Sequence, residues 1–308
     1  MTCPACGDTR SQDVERALAY TLKQCQSCTL VYSDPMTAGD LAFYQGHIVY
    51  SKPSLEQALF HKQSAANPKN RALLKDLPKG ARTLDIGCGY GAFVSLAHDQ
   101  GFDAHGIDFN ADQIATGREA FKLENRLHAG RLEDHSSLFK PAAYDMVSMF
   151  EVIEHVEAPR QLVERAHALL KPGGLLAMSC PNEDRWKPAG RIFVDYPPHH
   201  LTRWSQAAMQ GLLTKLGFEQ VQFKVDSSVR DLLWTYAVNR SAEQKMKTAP
   251  PPDQTIAATE PAGRQVQRNI KMSLFKVSGL AFAPLDGILR LANIGTMGMR
   301  TYARKKRA

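Results

Sequence analysis

The residues Thr83-Leu84-Asp85-Ile86-Gly87-Cys88-Gly89-Tyr90-Gly91-Ala92 read as a short buried strand, a glycine turn and the start of a helix that runs to His98. The same alternation recurs downstream. Ala104–Asp108 is the next strand and Asp112–Lys122 the next helix; Tyr144–Phe150, Arg160–Leu170 and, after the Pro172-Gly173-Gly174 break, Leu175–Ser179 continue it. This order predicts an open, doubly wound, mostly parallel α/β sheet with helices on both faces, and places a ligand at the carboxyl ends of the strands.

The glycine turn admits two kinds of ligand. Gly87-x-Gly89-x-x-Ala92 satisfies the relaxed dinucleotide fingerprint, so a nicotinamide or flavin enzyme is one reading. Asp85 separates the readings, because a dinucleotide would bring its pyrophosphate to a crevice that already holds a carboxylate. A ligand carrying a sulfonium and an ammonium has the opposite requirement, and S-adenosylmethionine is such a ligand. Asp108, 21 residues beyond Gly87, suits ribose hydroxyls in either case.

On these residues the chain resembles the class I S-adenosylmethionine-dependent methyltransferases over most of residues 70–226. Leu84 to Gly91 is similar to the family's first motif, Gly106-Ile107-Asp108 to its acidic second strand and Tyr144-Asp145-Met146-Val147 to its fourth strand. Phe150-Glu151-Val152-Ile153-Glu154-His155-Val156 resembles the segment after that strand in small-molecule members, including those acting on quinones; Lys171-Pro172-Gly173-Gly174 is also typical. The resemblance implies a Rossmann-like, seven-stranded sheet. It implies that Asp85 and the backbone around Gly87, Cys88 and Gly89 hold the methionine moiety and Asp108 the ribose. Phe109, Leu132, Glu133 and Phe150 would complete the cofactor site; Glu133 would stand in for an acid near adenine where Arg131 replaces the usual aspartate.

Four cysteines form a second signal. Cys3-Pro4-Ala5-Cys6 and Cys25-Gln26-Ser27-Cys28 are paired Cys-x-x-Cys knuckles, the spacing of a zinc ribbon. Four thiolates would close a tetrahedral site with no position left for water, so the metal would be structural. Disulfides are the alternative, and they need an oxidising compartment. Val14–Tyr20 and Leu30-Val31-Tyr32 are expected to supply strands to this module, which is too small to hold together without metal. With Leu30-Val31-Tyr32-Ser33-Asp34-Pro35 it resembles a bacterial subgroup of the same methyltransferases that is associated with sugar, polysaccharide and secondary-metabolite pathways.

The expected organisation is a zinc ribbon over 1–36, a connecting segment over 37–69 and a methyltransferase domain over 70–308. Phe218–Val225 and Met299–Lys305 resemble the family's last two strands, which makes 227–296 a helical insertion. Apolar residues at helical spacing within it, with Arg264, Arg268, Lys271 and Lys276 beside them, fit a lid or a homodimer contact, or a peripheral membrane contact through 264–294.

Histidines supply the candidate proton acceptors. Pro197-Pro198-His199-His200-Leu201 resembles the subgroup's Pro-Pro-x-His-Leu loop and aligns His200 with its histidine; His155 is the second candidate, and His199 adjoins the first. A histidine that merely bonds backbone to shape the loop is an equal reading for each. For Glu151 and Glu154, pairing with arginine or capping a helix is one reading, and it leads for Glu154.

Charge argues against a nucleic-acid track. The chain carries +7, but thirteen of its 38 Lys/Arg and four of its 31 Asp/Glu lie from Arg240 to Ala308, so that tail holds +9 and residues 1–239 hold −2. With no apolar run near the ~20 residues of a membrane span and no export signal after Met1, a cytoplasmic protein is expected. The reading is methyl transfer to an O, N or C nucleophile of a small molecule, glycans and lipid-linked compounds included. An RNA methyltransferase using ribbon and tail, and a non-catalytic binding protein, are the alternatives.

Overall fold

The computed structural model describes residues 1–17, 19–39, 53–135, 138–185, 191, 195–225, 285–287, 289, 295 and 297–307. Two sheets organise them. The larger is built from β4 (Arg82–Ile86), β5 (Asp103–Asp108), β6 (Leu127–Ala129), β7 (Tyr144–Phe150), β8 (Leu170–Pro181), β10 (Phe218–Val225) and β11 (Gly298–Lys305), in the order β10-β11-β8-β7-β4-β5-β6. The pairs β8-β7, β7-β4, β4-β5 and β5-β6 are parallel, and β11 runs antiparallel to both neighbours. Strand order reverses between β4 and β7, the kind of switch point at which such sheets take ligand beyond the carboxyl ends of their strands.

Local sequence explains the helices between these strands. α1 (Leu55–Ala65) is capped by Ser54, whose side chain accepts from Gln57 N; α2 (Pro68–Lys75) starts on Asn67 with proline in its first turn. α4 (Ala111–Phe121) is capped by Asn110 and α6 (Gln206–Lys215) by Ser205. α3 (Ala92–Asp99) starts from Gly91, in the left-handed region, with no side-chain cap. α5 (Pro159–Leu169) leads directly into β8.

Apolar residues of the strands point alternately into two layers. Met146, Leu175 and Ala177 pack with Leu74, Val94, Ala97 and Ile114 of α2, α3 and α4. On the other face Val147, Met149, Leu176 and Met178 pack with Val163, Ala166, Met209 and Leu213 of α5 and α6, and this cluster continues into Leu30 and Tyr32 near the N-terminus.

Two expectations need correction. Val14–Tyr20 is not one strand: β1 (Ser11–Ala17) turns into β2 (Tyr20–Cys25), and the two pair as a hairpin with Ser11 opposite Cys25. Strand β8 starts at Leu170 rather than Leu175, because Tyr144 pairs with Leu170 and Met146 with Leu175, so the Pro172-Gly173-Gly174 segment is absorbed as a bulge instead of breaking the strand. The N-terminal sheet also takes in a distant segment. After β3 (Val31–Asp34) its fourth strand is β9 (Thr202–Arg203), contributed from beyond β8. The helical stripe, membrane contact and dimer surface expected within 227–296 lie almost wholly outside the described residues. No helix among the described residues is long and apolar enough to cross a membrane.

Candidate active site

At the end of β4 the chain turns so that Gly87 N and Cys88 N both donate to Ile107 O, at 2.8 and 3.1 Å. Gly87 has φ +72°, and a Cβ there would run into Cγ2 of Val152, so the segment after β7 is packed directly against the turn. Two carboxylates flank this turn. The Ser148 hydroxyl donates to Asp85 Oδ1 at 2.7 Å, and Asp108 receives Gly89 N on Oδ2 and Asn110 N on Oδ1, each at 2.8 Å.

The environments of these carboxylates differ. Asp85 is buried, and burial pushes its pKa up to about 7 despite the Ser148 hydrogen bond, with Asp108 adding like charge. Asp108 is raised by burial too, opposed by the two amides that stabilise its charged form. A crevice with two such groups favours a ligand that brings positive charge to Asp85 and hydroxyl donors to Asp108.

The remaining sequence-derived cofactor candidates divide. Cys88 lies in the turn, half-buried, and its thiol is pushed well up by desolvation and by the nearby Asp108 and Asp85. Phe109 follows Asp108 and is 54% exposed. Phe150 packs edge-on against Phe93 at 5.1 Å with the Arg300 guanidinium above its ring. Leu132 and Glu133 start the 3₁₀ turn Leu132–His135, and the Glu133 carboxylate is engaged by Arg165. Above the glycine turn, Tyr90 donates its hydroxyl to Gln57 of α1 at 2.8 Å and stacks on His61.

The three histidines come together beyond the end of β7. His155 and His200 meet edge to face at 4.7 Å, and His155 Nδ1 lies 2.7 Å from His199 O. Burial and the neighbouring His200 push the His155 pKa down to about 3, which makes it a poor proton acceptor near neutrality. His200 presents Nδ1 to Asp195 Oδ1 at 3.6 Å, and Asp195 is itself in a close buried ion pair with Arg185. Among the described residues Glu154 does not pair with arginine: it is 1% exposed, its Oε1 lies 3.8 Å from His155 Nε2, and burial, with the like charge of Glu151, pushes it well above the usual carboxylate range. Ligand atoms of Glu154, His155 and His200 lie within 4.8 Å of one another. Glu151, at φ +56°, accepts the Ser179 hydroxyl at 2.6 Å.

Sequence reasoning missed Ser148 and the Arg185–Asp195 pair. Ser148 had a signal, since it is the polar residue within the apolar run of β7 and stands opposite Asp85 in register. Arg185 and Asp195 carried none, because they stand ten residues apart in no recognisable pattern.

The four knuckle cysteines converge. Cys3 and Cys28 sulfurs are 3.6 Å apart, Cys6 and Cys25 sulfurs 3.5 Å, and all four lie within 4.8 Å. These separations are far beyond a disulfide bond and fit the edges of a tetrahedron with metal–sulfur distances of about 2.3 Å. The set is all sulfur and largely buried, which suits zinc as a structural ion.

A doubly wound seven-stranded sheet with one reversed strand beside its edge, a glycine turn after β4 and an acid at the end of β5 define the Rossmann-like methyltransferase fold. The chain belongs to the methyltransferase domain family, whose model matches residues 58–222, more than half its length. Among curated proteins it is 33% identical over 109 residues to the ubiquinone biosynthesis O-methyltransferase of Sodalis glossinidius, covering 34% of this chain and 43% of that protein. It is 32% identical over 109 residues to the protein of the same name from Cronobacter sakazakii, covering 34% and 44%. The match thus spans less than half the length of these relatives. Two solved structures share the fold. A SAM dependent methyltransferase from Archaeoglobus fulgidus is 18% identical with a TM-score of 0.51, covering 80% of this chain and 94% of that one. Phosphoethanolamine N-methyltransferase 2 of Haemonchus contortus, in complex with S-adenosyl-L-methionine, is 17% identical with a TM-score of 0.55, covering 88% and 61%.

Proposed function

We propose that this chain transfers a methyl group from S-adenosylmethionine to a hydroxyl of a small-molecule acceptor. The observation that carries the reading is the pair of buried carboxylates, Asp85 and Asp108, on either side of the Gly87–Gly91 turn. Asp85 faces the ligand's positive end, and Asp108, held by Gly89 N and Asn110 N, keeps lone pairs for ribose hydroxyls. When bound, S-adenosylmethionine supplies a methyl group already activated by its sulfonium. Phe109 offers an exposed ring to the adenine, while Glu133, engaged by Arg165, contributes less than its sequence position implies.

The protein's part is alignment and proton removal. His200 takes the acceptor's hydroxyl proton on Nε2, with Nδ1–H turned toward Asp195 and Asp195 fixed by Arg185. Asp85 and Asp108 would hold the cofactor, whose sulfonium methyl would be supplied to the acceptor oxygen as His200 receives its proton. His155, tied to the His199 carbonyl, packs the wall behind His200 and shapes the loop. His199 contributes that carbonyl. The four cysteines hold zinc and stabilise the N-terminal hairpin.

The hydroxyl acceptor rests on the relatives named O-methyltransferases and on the His200–Asp195 arrangement. The test is mass spectrometry of cell extract incubated with methyl-labelled cofactor and either the wild-type protein or Asp85→Asn. Label in a hydroxylated small molecule that disappears with the variant supports the reading; label confined to RNA overturns it.

A further inference from the structure

The loop that carries His200 is clamped between two parts of the chain. On one side Leu201 N and Thr202 N both donate to Glu154 O, at 2.7 and 3.2 Å. On the other, β9 adds to the ribbon sheet: Val31 pairs with Arg203 and Tyr32 with Thr202, Ser33 N donates to Leu201 O at 2.8 Å, and the Thr29 and Ser205 hydroxyls meet at 3.0 Å. A strand of two residues has no stability of its own. It persists because β3 is presented to it, and β3 follows directly from the knuckle, where Cys25 N donates to Leu30 O at 2.9 Å.

Arg203 ties this seam to the histidine. Its buried guanidinium donates through Nη1 to Glu15 of β1 at 2.9 Å and through Nε to the backbone oxygen of Asp195 at 3.4 Å, and it lies over the Tyr196 ring at 4.9 Å. One planar group therefore joins the ribbon to the residue that faces His200. A lysine could not reproduce this, because a single ammonium lacks the fork that addresses two acceptors and a ring at once.

We propose that Arg203 is a positioning residue, and that the four-cysteine ribbon, through Glu15 and Arg203, sets His200 against Asp195. The ribbon is then a brace for the acceptor side of the site rather than a module for a separate ligand. This rests on the reading of His200 as proton acceptor, but the mechanical link can be measured without it. Metal at the cysteines organises β2 and β3, β3 holds β9, and β9 with Arg203 fixes the loop that starts at Asp195.

The test compares hydrogen exchange in the zinc-loaded full chain, the chelated chain and the zinc-loaded Glu15→Gln and Arg203→Lys variants. Chelation is expected to speed exchange about tenfold or more over 20–34 and 199–205 together, leaving 82–86 unchanged. Glu15→Gln and Arg203→Lys are expected to speed exchange at 195–205 while the cysteine knuckles stay protected. In turnover both variants should lower kcat about tenfold, leave the Kd for S-adenosylmethionine within twofold, and shift the midpoint of the kcat–pH profile. Exchange over 199–205 that stays slow while 20–34 opens would overturn the brace, and an unmoved pH midpoint in Arg203→Lys would overturn the positioning role. If coupled exchange is seen but His200→Ala turns over normally, the proton-acceptor reading fails and the mechanical link stands.

Discussion

The Ser148 hydroxyl and the Asp85 carboxylate meet at 2.7 Å across the adjacent strands β7 and β4, and this hydrogen bond leaves Asp85 still displaced to a pKa of about 7. The free protein therefore holds Asp85 partly protonated at neutrality, while a cation in the crevice favours the ionised form. Affinity for S-adenosylmethionine is expected to rise as pH climbs through about 7 and to level off above it. Calorimetry across that range checks the slope, and a flat profile would contradict it.

Asp85→Asn separates binding from stability. It should weaken S-adenosylmethionine by about 10–100-fold, the loss of one charge-assisted contact in a poorly solvated site. The same change should raise the melting temperature of the free protein above pH 7. Because the folded-state pKa lies above the unfolded value, the folded state binds more protons between about 4 and 7, and stability falls as pH rises through that window. Asparagine carries no such linkage, so thermal melts at several pH values should show a shallower decline.

Gly87→Ala tests the packing of the turn. The left-handed backbone costs roughly 1–2 kcal/mol for an L side chain, and the methyl would meet Val152. Adding Val152→Ala should recover the steric part and leave the conformational part, so denaturation of the double variant should fall between wild type and the single variant.

Much of the sheet was legible because its strands are short apolar runs separated by turn residues. Thr83–Ile86 reads directly as an apolar run and Phe218–Val225 as an alternating one, and Asp85 within the first and Asp108 at the end of β5 stood out as acids. The hairpin β1–β2 was hidden because Ser11–Ala17 is mostly polar and exposed, leaving no alternation to see. β9 was illegible for a different reason: two residues carry no periodicity, and their partners lie about 170 positions away in the chain. The choice among histidines likewise needed three dimensions, since His155 Nδ1 is taken up by the His199 carbonyl while His200 Nδ1 faces Asp195.

The cysteine cluster predicts one tightly held zinc ion per chain. Elemental analysis of protein purified without chelator should find it, and Cys3→Ser or Cys28→Ser should lower its occupancy and the stability of residues 1–34. Stoichiometric disulfides by mass spectrometry in place of metal would refute the assignment.

His200→Gln should reduce kcat by about 100-fold, the scale of a lost proton acceptor, with little change in cofactor affinity. His155→Gln should act mainly on stability, because its ring packs behind His200. Steady-state kinetics beside calorimetry tells the two effects apart, and equal kcat losses in both variants would count against a distinct role for His200.

The claim underlying all of this is that the crevice beside β4 receives a cationic adenosine ligand. Isothermal titration of the purified chain with S-adenosylmethionine, S-adenosylhomocysteine and a nicotinamide dinucleotide addresses it most directly. Saturable binding of the first two and none of the third is the expected result; binding of the dinucleotide alone would contradict it.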